Sequence, residues 1–282
     1  MQNKNWETPI CNLCFSRNYQ IIWDNMTYWE YKGLFRIVKC KNCNLVFLSP
    51  RPPLNEIDSY YVQENYFGIK STKIDKKTLF RERDKIYKTV YASLLKNKKG
   101  RILDIGAGTG QFLSKFKELG WRVEGIELTN EGVRFAKKAF DIRLKKGDFF
   151  HFSYPKQSFD VITLNGALEH MYEPLAVLKK SYELLKKGGV VYFSVPNVDS
   201  LGNKLFGKNW FPWQPPRHLY HFSPITAEKM LKKAGFKDIK VKHDYWLQNQ
   251  YILFQSLRYS KSGKFKKTAH GGLVNRQYAS TF

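Results

Sequence analysis

Apolar positions in the middle of the chain alternate between two spacings. Short apolar or alternating runs are typical of strands, and the longer segments between them place apolar residues three and four apart, as helices do. The predicted strands are 101–105, 122–126, a short one near 143–145, 159–164 and 190–195. The predicted helices between them are 110–119, 130–139 and 173–185. Strands that alternate with helices predict an α/β fold, a Rossmann-like parallel sheet with helices on both faces.

The pattern is different on both sides of this block. Residues 54–72 are rich in aromatic side chains, and residues 73–97 have the apolar stripe of a helix. Residues 199–224 combine tryptophans, prolines and histidines without either spacing. Because a long loop in a compact α/β domain is more often functional than not, we predict a substrate loop over 197–224. A helix over 224–233 and a strand near 238–242 are predicted after it.

Composition and charge limit the class of protein. The chain has 282 residues, of which 43 % are apolar, and this suits one large domain with a small one. No apolar run is long enough to span a bilayer, and the first residues lack the pattern of a signal peptide, so we expect a cytoplasmic protein. The net charge of +24 is compatible with an anionic partner: nucleic acid, a nucleotide-linked substrate or a membrane surface that the protein contacts peripherally. The dispersed lysine pairs favour the alternative, which is a set of solvated helix faces.

The four cysteines all lie within the first 43 residues, as Cys11-x-x-Cys14 and Cys40-x-x-Cys43. Without a secretion signal this arrangement favours metal binding over disulfides, and four thiolates suit a tetrahedral zinc ion. Four cysteines leave no open coordination position, so the predicted zinc is structural. Asn44 follows the second pair and tolerates the left-handed backbone that such a knuckle often needs. The alternative is a set of four buried or free thiols.

These patterns divide the chain into four predicted parts. They are a zinc-ribbon-like module over 1–53, a connector with a helix over 54–98, an α/β domain over 99–258 and a basic tail over 259–282 for which we expect disorder.

A glycine-rich loop follows the first strand of the α/β block. The strand ends near Asp104, and Gly106, Gly108 and Gly110 come next. Glycines at this place let the backbone turn sharply and approach a ligand closely. Dinucleotide sites have a further glycine where this chain has Gln111, and they usually have an apolar residue at position 104. A carboxylate there suits the ammonium group of an amino-acid cofactor, so the loop favours S-adenosylmethionine over NAD.

An acidic residue at the end of the next strand supports this interpretation. Glu127 closes the sequence EGIE, where a carboxylate can accept hydrogen bonds from both hydroxyl groups of a ribose. The alternative for the loop is a structural glycine turn that holds no ligand.

Residues 101–242 resemble the class I S-adenosylmethionine-dependent methyltransferases. The resemblance depends on the glycine loop, Glu127, Asp148 and Phe149 after the third strand, and Asn165 after the fourth, in that order. It implies that the three glycines line the methionine part of the cofactor and that Glu127 holds the ribose. It also implies that Asp148 accepts from the adenine amino group, that Phe149 lies against the adenine ring and that Asn165 closes the pocket. The alternatives are a helix cap for Asp148 and a turn residue for Asn165.

Two further stretches, ALEHMYEP at 167–174 and RHLYHFSP at 217–224, resemble a subfamily that is common among enzymes modifying small molecules and glycans. Similar methyltransferases also carry an N-terminal zinc ribbon. The resemblance therefore implies a methyl acceptor that is a small molecule, a sugar nucleotide or a glycan.

Histidines in these stretches are candidates for a general base. Methyl transfer is an in-line displacement that needs alignment, and a base as well when the acceptor is a hydroxyl group. His218 is the first choice, because Arg217 beside it can hold an anionic acceptor, and His170 is the second. Trp213 and His221 are predicted substrate contacts. The alternatives are histidines that bond the loop backbone and aromatic side chains that form the core of a lid.

The first functional hypothesis is an S-adenosylmethionine-dependent methyltransferase of a small-molecule or glycan acceptor. A zinc-ribbon RNA methyltransferase is the alternative, although the basic excess within residues 1–50 is weak. A non-catalytic module that binds S-adenosylmethionine is a second alternative. The sequence indicates no oligomeric state. The last strand of the resembled fold has no clear counterpart after 251–257, so we expect an altered or truncated end, an exposed sheet edge and self-association.

Overall fold

The computed structural model describes residues 5–28, 31–61 and 99–243, together with Ser256, Leu257 and Ser260. The chain forms two compact units. The first, called here the hairpin unit, comprises Met1–Glu64, Glu169–Leu178 and Val195–Thr268. The second, called the parallel-sheet unit, comprises Asn65–Leu168, Lys179–Ser194 and Ala269–Phe282. The predicted helix over 73–97, the altered C-terminal end and, except for Ser260, the basic tail lie outside the described residues.

Nine strands and five α-helices fall within the described part of the chain. The strands are β1 (Tyr19–Tyr28), β2 (Tyr31–Cys40), β3 (Val46–Leu48), β4 (Arg101–Ile105), β5 (Arg122–Glu127), β6 (Lys145–Lys146), β7 (Phe159–Asn165), β8 (Leu185–Ser194) and β9 (Tyr220–His221). The helices are α1 (Gln111–Glu118), α2 (Asn130–Phe140), α3 (Pro174–Leu184), α4 (Leu201–Phe206) and α5 (Pro224–Ala234).

The parallel-sheet unit contains five strands in the order β6-β5-β4-β7-β8. Every neighbouring pair in this sheet is parallel, and helices flank it, so the predicted Rossmann-like α/β class is confirmed. Its core joins the buried face of α1 to the sheet, with Leu113 and Phe116 fully buried. Trp121 closes this core, because its ring meets that of Phe116 edge-on with the centroids 5.4 Å apart.

Most predicted elements of this block agree with the observed ones to within about two residues at their ends, the usual uncertainty of helix and strand limits. The exception is β8, which begins at Leu185 directly after α3, before the glycine pair at Gly188 and Gly189. The predicted strand near 238–242 is wrong. Residues 238–243 have no strand structure, and Val241 is 46 % exposed.

The hairpin unit is built on an antiparallel sheet of β1, β2, β3 and β9. Strands β1 and β2 form a hairpin, and β3 returns beside β2. Two register pairs, Val46 with His221 and Phe47 with Tyr220, then join β3 to β9 from the predicted substrate loop. The first 53 residues therefore share a sheet with a segment far along the chain. The core of the sheet contains Phe35, Phe47 and Tyr220, each at most 1 % exposed.

The segment predicted as a substrate loop has more structure than a loop. It contains α4 and β9, and α5 begins directly after it. Ser223 caps α5 by accepting a hydrogen bond from the backbone N–H of Thr226, and the Thr226 hydroxyl in turn accepts from the N–H of Ser223. Pro224 provides the first residue of the helix, and Gly235 ends it with a φ of 104°.

Arg51 is a buried cation of the hairpin unit with several polar partners. Its side chain is 7 % exposed and donates to Glu7 Oε1 at 2.5 Å. It also donates to the carbonyl oxygen of Tyr172 at 3.1 Å and to the hydroxyl oxygen of Tyr220 at 3.0 Å. The Tyr172 ring lies below the guanidinium, with its centroid 4.5 Å from Cζ. One buried cation thus holds three segments of the unit together.

None of the helices in the described residues combines the length and the apolar character that crossing a membrane requires.

We expect Arg51→Leu to lower the free energy of unfolding by about 2–4 kcal/mol, because several charge-assisted hydrogen bonds disappear and buried acceptors are left without a donor. Urea denaturation of the two proteins measures this difference. Arg36→Leu is the matched control: Arg36 pairs with Asp24 at 3.0 Å with both side chains about one third exposed, so its loss should cost less than about 1 kcal/mol. Equal costs for the two substitutions would contradict the prediction.

Candidate functional site

In the parallel-sheet unit, the predicted cofactor residues collect at one edge of the sheet. Asp104 and the glycine loop end β4, Glu127 ends β5, Asp148 follows β6 and Asn165 ends β7. These four strands are neighbours and run in the same direction, so their carboxyl ends meet. Ligands of open α/β sheets bind in the crevice beyond such an edge.

The glycine loop has a backbone that other residues rarely adopt. Gly106, Gly108 and Gly110 have φ values of 75°, 53° and 71°, all in the left-handed region. A Cβ atom on Gly106 would lie 2.7 Å from Cβ of Ala167, and one on Gly110 would lie 2.8 Å from Cβ of Ala136. The loop therefore requires glycine both for its conformation and for the space around it.

Glu127 connects the loop to the second strand. Its Oε2 accepts a hydrogen bond from the backbone N–H of Gly108 at 2.8 Å. Its Oε1 accepts from the N–H and the hydroxyl group of Thr129, at 2.8 and 2.7 Å. Burial raises the pKa of this carboxyl, and the hydrogen bonds from Thr129 and Gly108 oppose that shift. A carboxylate has about four acceptor positions, so Glu127 keeps capacity for a further donor.

Asp104 lies in the interior, 2 % exposed, where Thr163 Oγ1 donates to its Oδ1 at 2.6 Å. Burial is the largest cause that raises its pKa to about 7. The hydrogen bond from Thr163 lowers the pKa, and repulsion by Glu127 raises it further. A buried carboxyl with a raised pKa at a strand end is an energetic cost that a cationic ligand would relieve.

Asp148 and Phe149 both have contacts within the parallel-sheet unit. Asp148 caps a 3-10 helix at Phe149–His151, because its Oδ1 accepts from the N–H of Phe150 at 2.7 Å. The second carboxylate oxygen is the one through which it can accept from a ligand. The Phe149 ring is only 2 % exposed and lies 4.3 Å from the ammonium of Lys180. A ring so buried offers no face to an adenine, so this side chain belongs to the core.

The four cysteines of the hairpin unit come together. All four Sγ atoms lie within 4.8 Å of one another, with 3.4 Å from Cys11 to Cys43 and from Cys14 to Cys40. These separations are far longer than a disulfide bond and close to the spacing of thiolates around one tetrahedral ion. The hydrogen bond between the Cys11 and Cys43 sulfur atoms lowers the pKa of Cys11 to about 5 and raises that of Cys43.

Each cysteine pair turns through a left-handed residue, and a backbone hydrogen bond closes each turn. Asn44 has a φ of 69°, as its identity predicted, and its N–H donates to the carbonyl oxygen of Cys40. In the first pair Phe15 has the same role with a φ of 61°, and its N–H donates to Cys11. A bulky residue is unusual in this conformation, so the cysteine cluster must hold it there.

The predicted catalytic histidines lie in the hairpin unit. The rings of His170 and His218 meet edge-on with their centroids 4.6 Å apart. Burial lowers the pKa of His170 to about 4 and lowers that of His218 well below its ordinary value. Both rings are therefore neutral at neutral pH, which is the form a base needs, although the low pKa makes each a weak base.

The predicted substrate contacts in the same unit are buried. Trp213 is 1 % exposed and donates from Nε1 to the carbonyl oxygen of Gly207 at 2.8 Å. His221 packs edge-on against it, and the guanidinium of Arg217 donates to Gln214 Oε1 at 2.9 Å. Their burial favours a core role for these side chains, which is one of the two interpretations left open for the aromatic segment. Stacking of Trp213 on a ligand would require the segment to move.

Sequence reasoning missed three residues that support these groups. Thr163 bonds Asp104, Thr129 bonds Glu127, and Glu169 lies beside His170. Thr129 had a recognisable signal, because a threonine before a predicted helix is a frequent cap. Thr163 had none, since its position opposite Asp104 depends on the pairing of β4 with β7.

Comparisons with known proteins agree with this geometry. The family described as Methyltransferase domain matches residues 79–241. An uncharacterized protein of Methanocaldococcus jannaschii is 28 % identical over 178 residues, which cover 62 % of this chain and 83 % of that protein. A ubiquinone biosynthesis O-methyltransferase of Thiobacillus denitrificans is 27 % identical over 150 residues, covering 49 % of this chain and 64 % of that enzyme, less than two thirds of its length.

Among solved structures, a SAM-dependent methyltransferase from Archaeoglobus fulgidus is similar, with 20 % sequence identity and a TM-score of 0.47. The match covers 68 % of this chain and 94 % of that one.

We expect the stability of the protein without cofactor to depend on pH through Asp104. Its pKa of about 7 in the folded state exceeds the ordinary 3.8, so the folded state binds the proton more tightly. The contribution of Asp104 to the free energy of unfolding is fully present below pH 3.8, the ordinary pKa, and is lost as the pH rises to about 7. Relative to the native chain, Asp104→Asn should therefore gain up to about 1.4 kcal/mol per pH unit between pH 5 and 7.

Urea denaturation at several pH values measures this difference. The control is the exposed Asp199→Asn, whose effect on the free energy of unfolding should be small throughout the range. A difference between the native chain and Asp104→Asn that does not change with pH would show that Asp104 keeps an ordinary pKa.

Proposed function

Because this chain belongs to the methyltransferase-domain family and is an S-adenosylmethionine-dependent methyltransferase, we propose that it methylates an oxygen atom of a small-molecule, sugar-nucleotide or glycan acceptor. The observation that carries the cofactor part is the collection of the glycine loop, Asp104 and Glu127 at one sheet edge. The choice of oxygen is supported by the curated relatives that are named O-methyltransferases.

Each part of the cofactor is assigned to different residues according to its chemistry. S-adenosylmethionine supplies an electrophilic methyl group on a sulfonium that is already a good leaving group. We assign Gly106, Gly108 and Gly110 to its methionine part, where they let the backbone approach closely. Asp104 offers a carboxylate for the ammonium group, directly or through its neighbours, and a cation there would lower the raised pKa of Asp104.

Glu127 is the proposed partner of the ribose. Three of its acceptor positions are used by Thr129 and Gly108, so one hydroxyl group can bind without loss and a second must replace one of these donors. Asp148, through its second carboxylate oxygen, is the proposed acceptor for the adenine amino group. Asn165 is the proposed polar residue near the methionine part.

The residues that we propose to bind the methyl acceptor and to remove its proton lie in the hairpin unit. His218, then His170, remain the proposed residues for proton removal from a hydroxyl acceptor. Arg217, with Trp213 and His221, remains the proposed contact for the acceptor itself. Because these side chains are buried, access requires the segment 197–224 to open, and such lid movements often limit turnover.

We also propose that Cys11, Cys14, Cys40 and Cys43 hold one structural zinc ion. Their four Sγ atoms are close enough to share one ion, and thiolates are the ligands that zinc prefers in closed sites. Asn12, between the first two cysteines, accepts from the N–H of Leu175 at 2.8 Å and donates to Glu173 at 2.5 Å. The zinc would therefore position the start of α3 as well as the hairpin.

Isothermal titration with S-adenosylmethionine, followed by a methyl-transfer assay, tests the proposed function. We expect one binding site per chain, and we expect Glu127→Gln to weaken binding about 10- to 100-fold, because charge-assisted hydrogen bonds become neutral ones. The matched control is Glu118→Gln at the exposed end of α1, which should bind as the native chain does. Absence of binding would overturn the cofactor assignment.

The methyl-transfer assay compares hydroxylated small molecules, sugar nucleotides, glycans and an RNA, and it measures the S-adenosylhomocysteine formed. Turnover with a member of the first three classes supports the proposal. Turnover with RNA alone, with an affinity that falls steeply with salt, would favour the RNA alternative. Tight cofactor binding without turnover on any class would favour a non-catalytic binding module.

We expect the paired substitution Cys14→Ser and Cys43→Ser to remove one zinc equivalent and to destabilise the hairpin unit, because structural zinc sites contribute folding free energy directly. Elemental analysis of the dialysed proteins counts the ion, and circular dichroism during heating follows the stability. Ser16→Ala, which changes a half-buried serine near the first cysteine pair, is the comparison that leaves the cysteines intact. An unchanged zinc content in the cysteine variant would refute the assignment.

A further inference from the structure

Besides the four cysteines, the hairpin unit contains a second group of side chains whose polar atoms lie close together. One carboxylate oxygen of Glu169 and one ring nitrogen each of His170 and His218 lie within 4.8 Å of one another. Glu169 and His218 are each 2 % exposed. Polar atoms that are this far from water need partners inside the protein.

The backbone brings these residues together. The N–H of Leu219 donates to the carbonyl oxygen of Glu169 at 2.8 Å, and the N–H of Leu48 donates to the carbonyl oxygen of Leu219 at 2.9 Å. The backbone segment with Glu169 and His170 therefore lies beside the segment with His218. The latter segment is in turn hydrogen-bonded to Leu48 of β3. The arrangement depends on the sheet of the hairpin unit and not on a mobile side chain.

Backbone carbonyl groups decide which nitrogen of each ring carries the proton. Nδ1 of His218 lies 2.8 Å from the carbonyl oxygen of Pro212, and Nδ1 of His170 lies 3.0 Å from that of Arg217. A carbonyl oxygen can only accept, so Nδ1 of His218 must be a donor, and the Arg217 carbonyl favours the same assignment for Nδ1 of His170. The Tyr61 hydroxyl group is also 3.0 Å from Nδ1 of His170. In a neutral ring, Nε2 then presents an uncovered lone pair.

These atoms have no hydrogen-bond partner among the described residues. This holds for Nε2 of His170, Nε2 of His218 and Oε2 of Glu169. A proton on Glu169 would serve one imidazole and would leave the other without a donor. A single multivalent cation, in contrast, satisfies all three acceptors at once. Histidines that ligate metals use this same arrangement, in which the other ring nitrogen donates to a carbonyl oxygen and fixes the ring.

We propose that Glu169, His170 and His218 bind a divalent first-row transition-metal ion, such as zinc, iron or manganese, through one carboxylate oxygen and the two Nε2 atoms. Two imidazoles and one carboxylate suit these ions, whereas magnesium and calcium prefer oxygen ligands. Three protein ligands leave at least one coordination position for water or for an oxygen atom of another molecule.

The ion would give the two histidines a task other than proton removal. An acceptor hydroxyl bound at the open position would pass its proton to solvent water, and not to His218 or His170, more readily than an unbound hydroxyl does, because the cation stabilises the anion that remains. This consequence depends on the proposed function, whereas the binding of the ion does not. A count of bound ions therefore tests the site independently of methyl transfer.

The experiment counts zinc in the full chain after loading with excess zinc and exhaustive dialysis. We expect two equivalents in the native chain and one in Glu169→Gln and in His218→Asn. His151→Asn, which changes an exposed histidine outside the group, should keep both. In the variant with Cys14→Ser and Cys43→Ser, the remaining equivalent should be the one at the histidine site. In the single-site variants we expect the affinity for the second zinc to fall at least about 100-fold, more than the loss of an outer hydrogen bond causes.

X-ray absorption at the zinc edge gives a second readout. It uses the native chain alone, so it does not depend on whether a variant folds. We expect sulfur ligands near 2.3 Å together with nitrogen and oxygen ligands near 2.0–2.1 Å, the usual distances for such donors. One zinc equivalent in the native chain, with sulfur ligands alone, would overturn the proposal. Two equivalents that persist in both Glu169→Gln and His218→Asn would overturn it as well.

Discussion

The common direction of β4, β5, β6 and β7 is the constraint on which the cofactor edge depends. Because these neighbouring strands are parallel, each delivers its carboxyl end, and the loop after it, to one place. The hydrogen bond from Gly108 to Glu127 then fixes the glycine loop against the second strand. Antiparallel pairing of any of these strands would send its loop to the opposite edge. The strand order and direction thus decide that Asp104, Glu127 and Asp148 lie at the same edge of the sheet.

The interior of each unit holds ionisable groups whose burial has to be compensated. In the parallel-sheet unit, Thr163 and Thr129 donate to Asp104 and Glu127, yet the pKa of both carboxyls stays raised. Such incomplete compensation is typical of places where a protein receives a ligand. In the hairpin unit, Arg51 is fully surrounded by acceptors and an aromatic face, which is typical of a structural ion. The charge of Arg51 is thus compensated within the protein, whereas the burial of Asp104 and Glu127 is compensated only in part.

Prediction from the sequence succeeded where local pattern and structure coincide. The strand ending at Asp104, its loop and the helix after it are each specified by neighbouring residues, so periodicity and glycine spacing sufficed. It failed near 238–242, where an alternating pattern has no strand structure, because an alternating pattern forms a strand only where another strand pairs with it. It also described 197–224 as a loop, because the pairing of Tyr220 with Phe47 joins residues that no local window contains. Trp213, which the sequence analysis predicted as a substrate contact, is instead buried.

By itself, the sequence determined the α/β class, the glycine loop with Glu127 and the grouping of the four cysteines. Each of these is written in residues that are close in sequence or in a spacing that one chemistry requires. Only the tertiary structure decided that Phe149 lies in the core, that the first residues share a sheet with β9, and that a carboxylate oxygen of Glu169 lies near one ring nitrogen each of His170 and His218. The physical reason is that burial and the direction of a lone pair depend on contacts between distant segments. Those contacts arise from the packing of the whole chain, and no short stretch of it contains them.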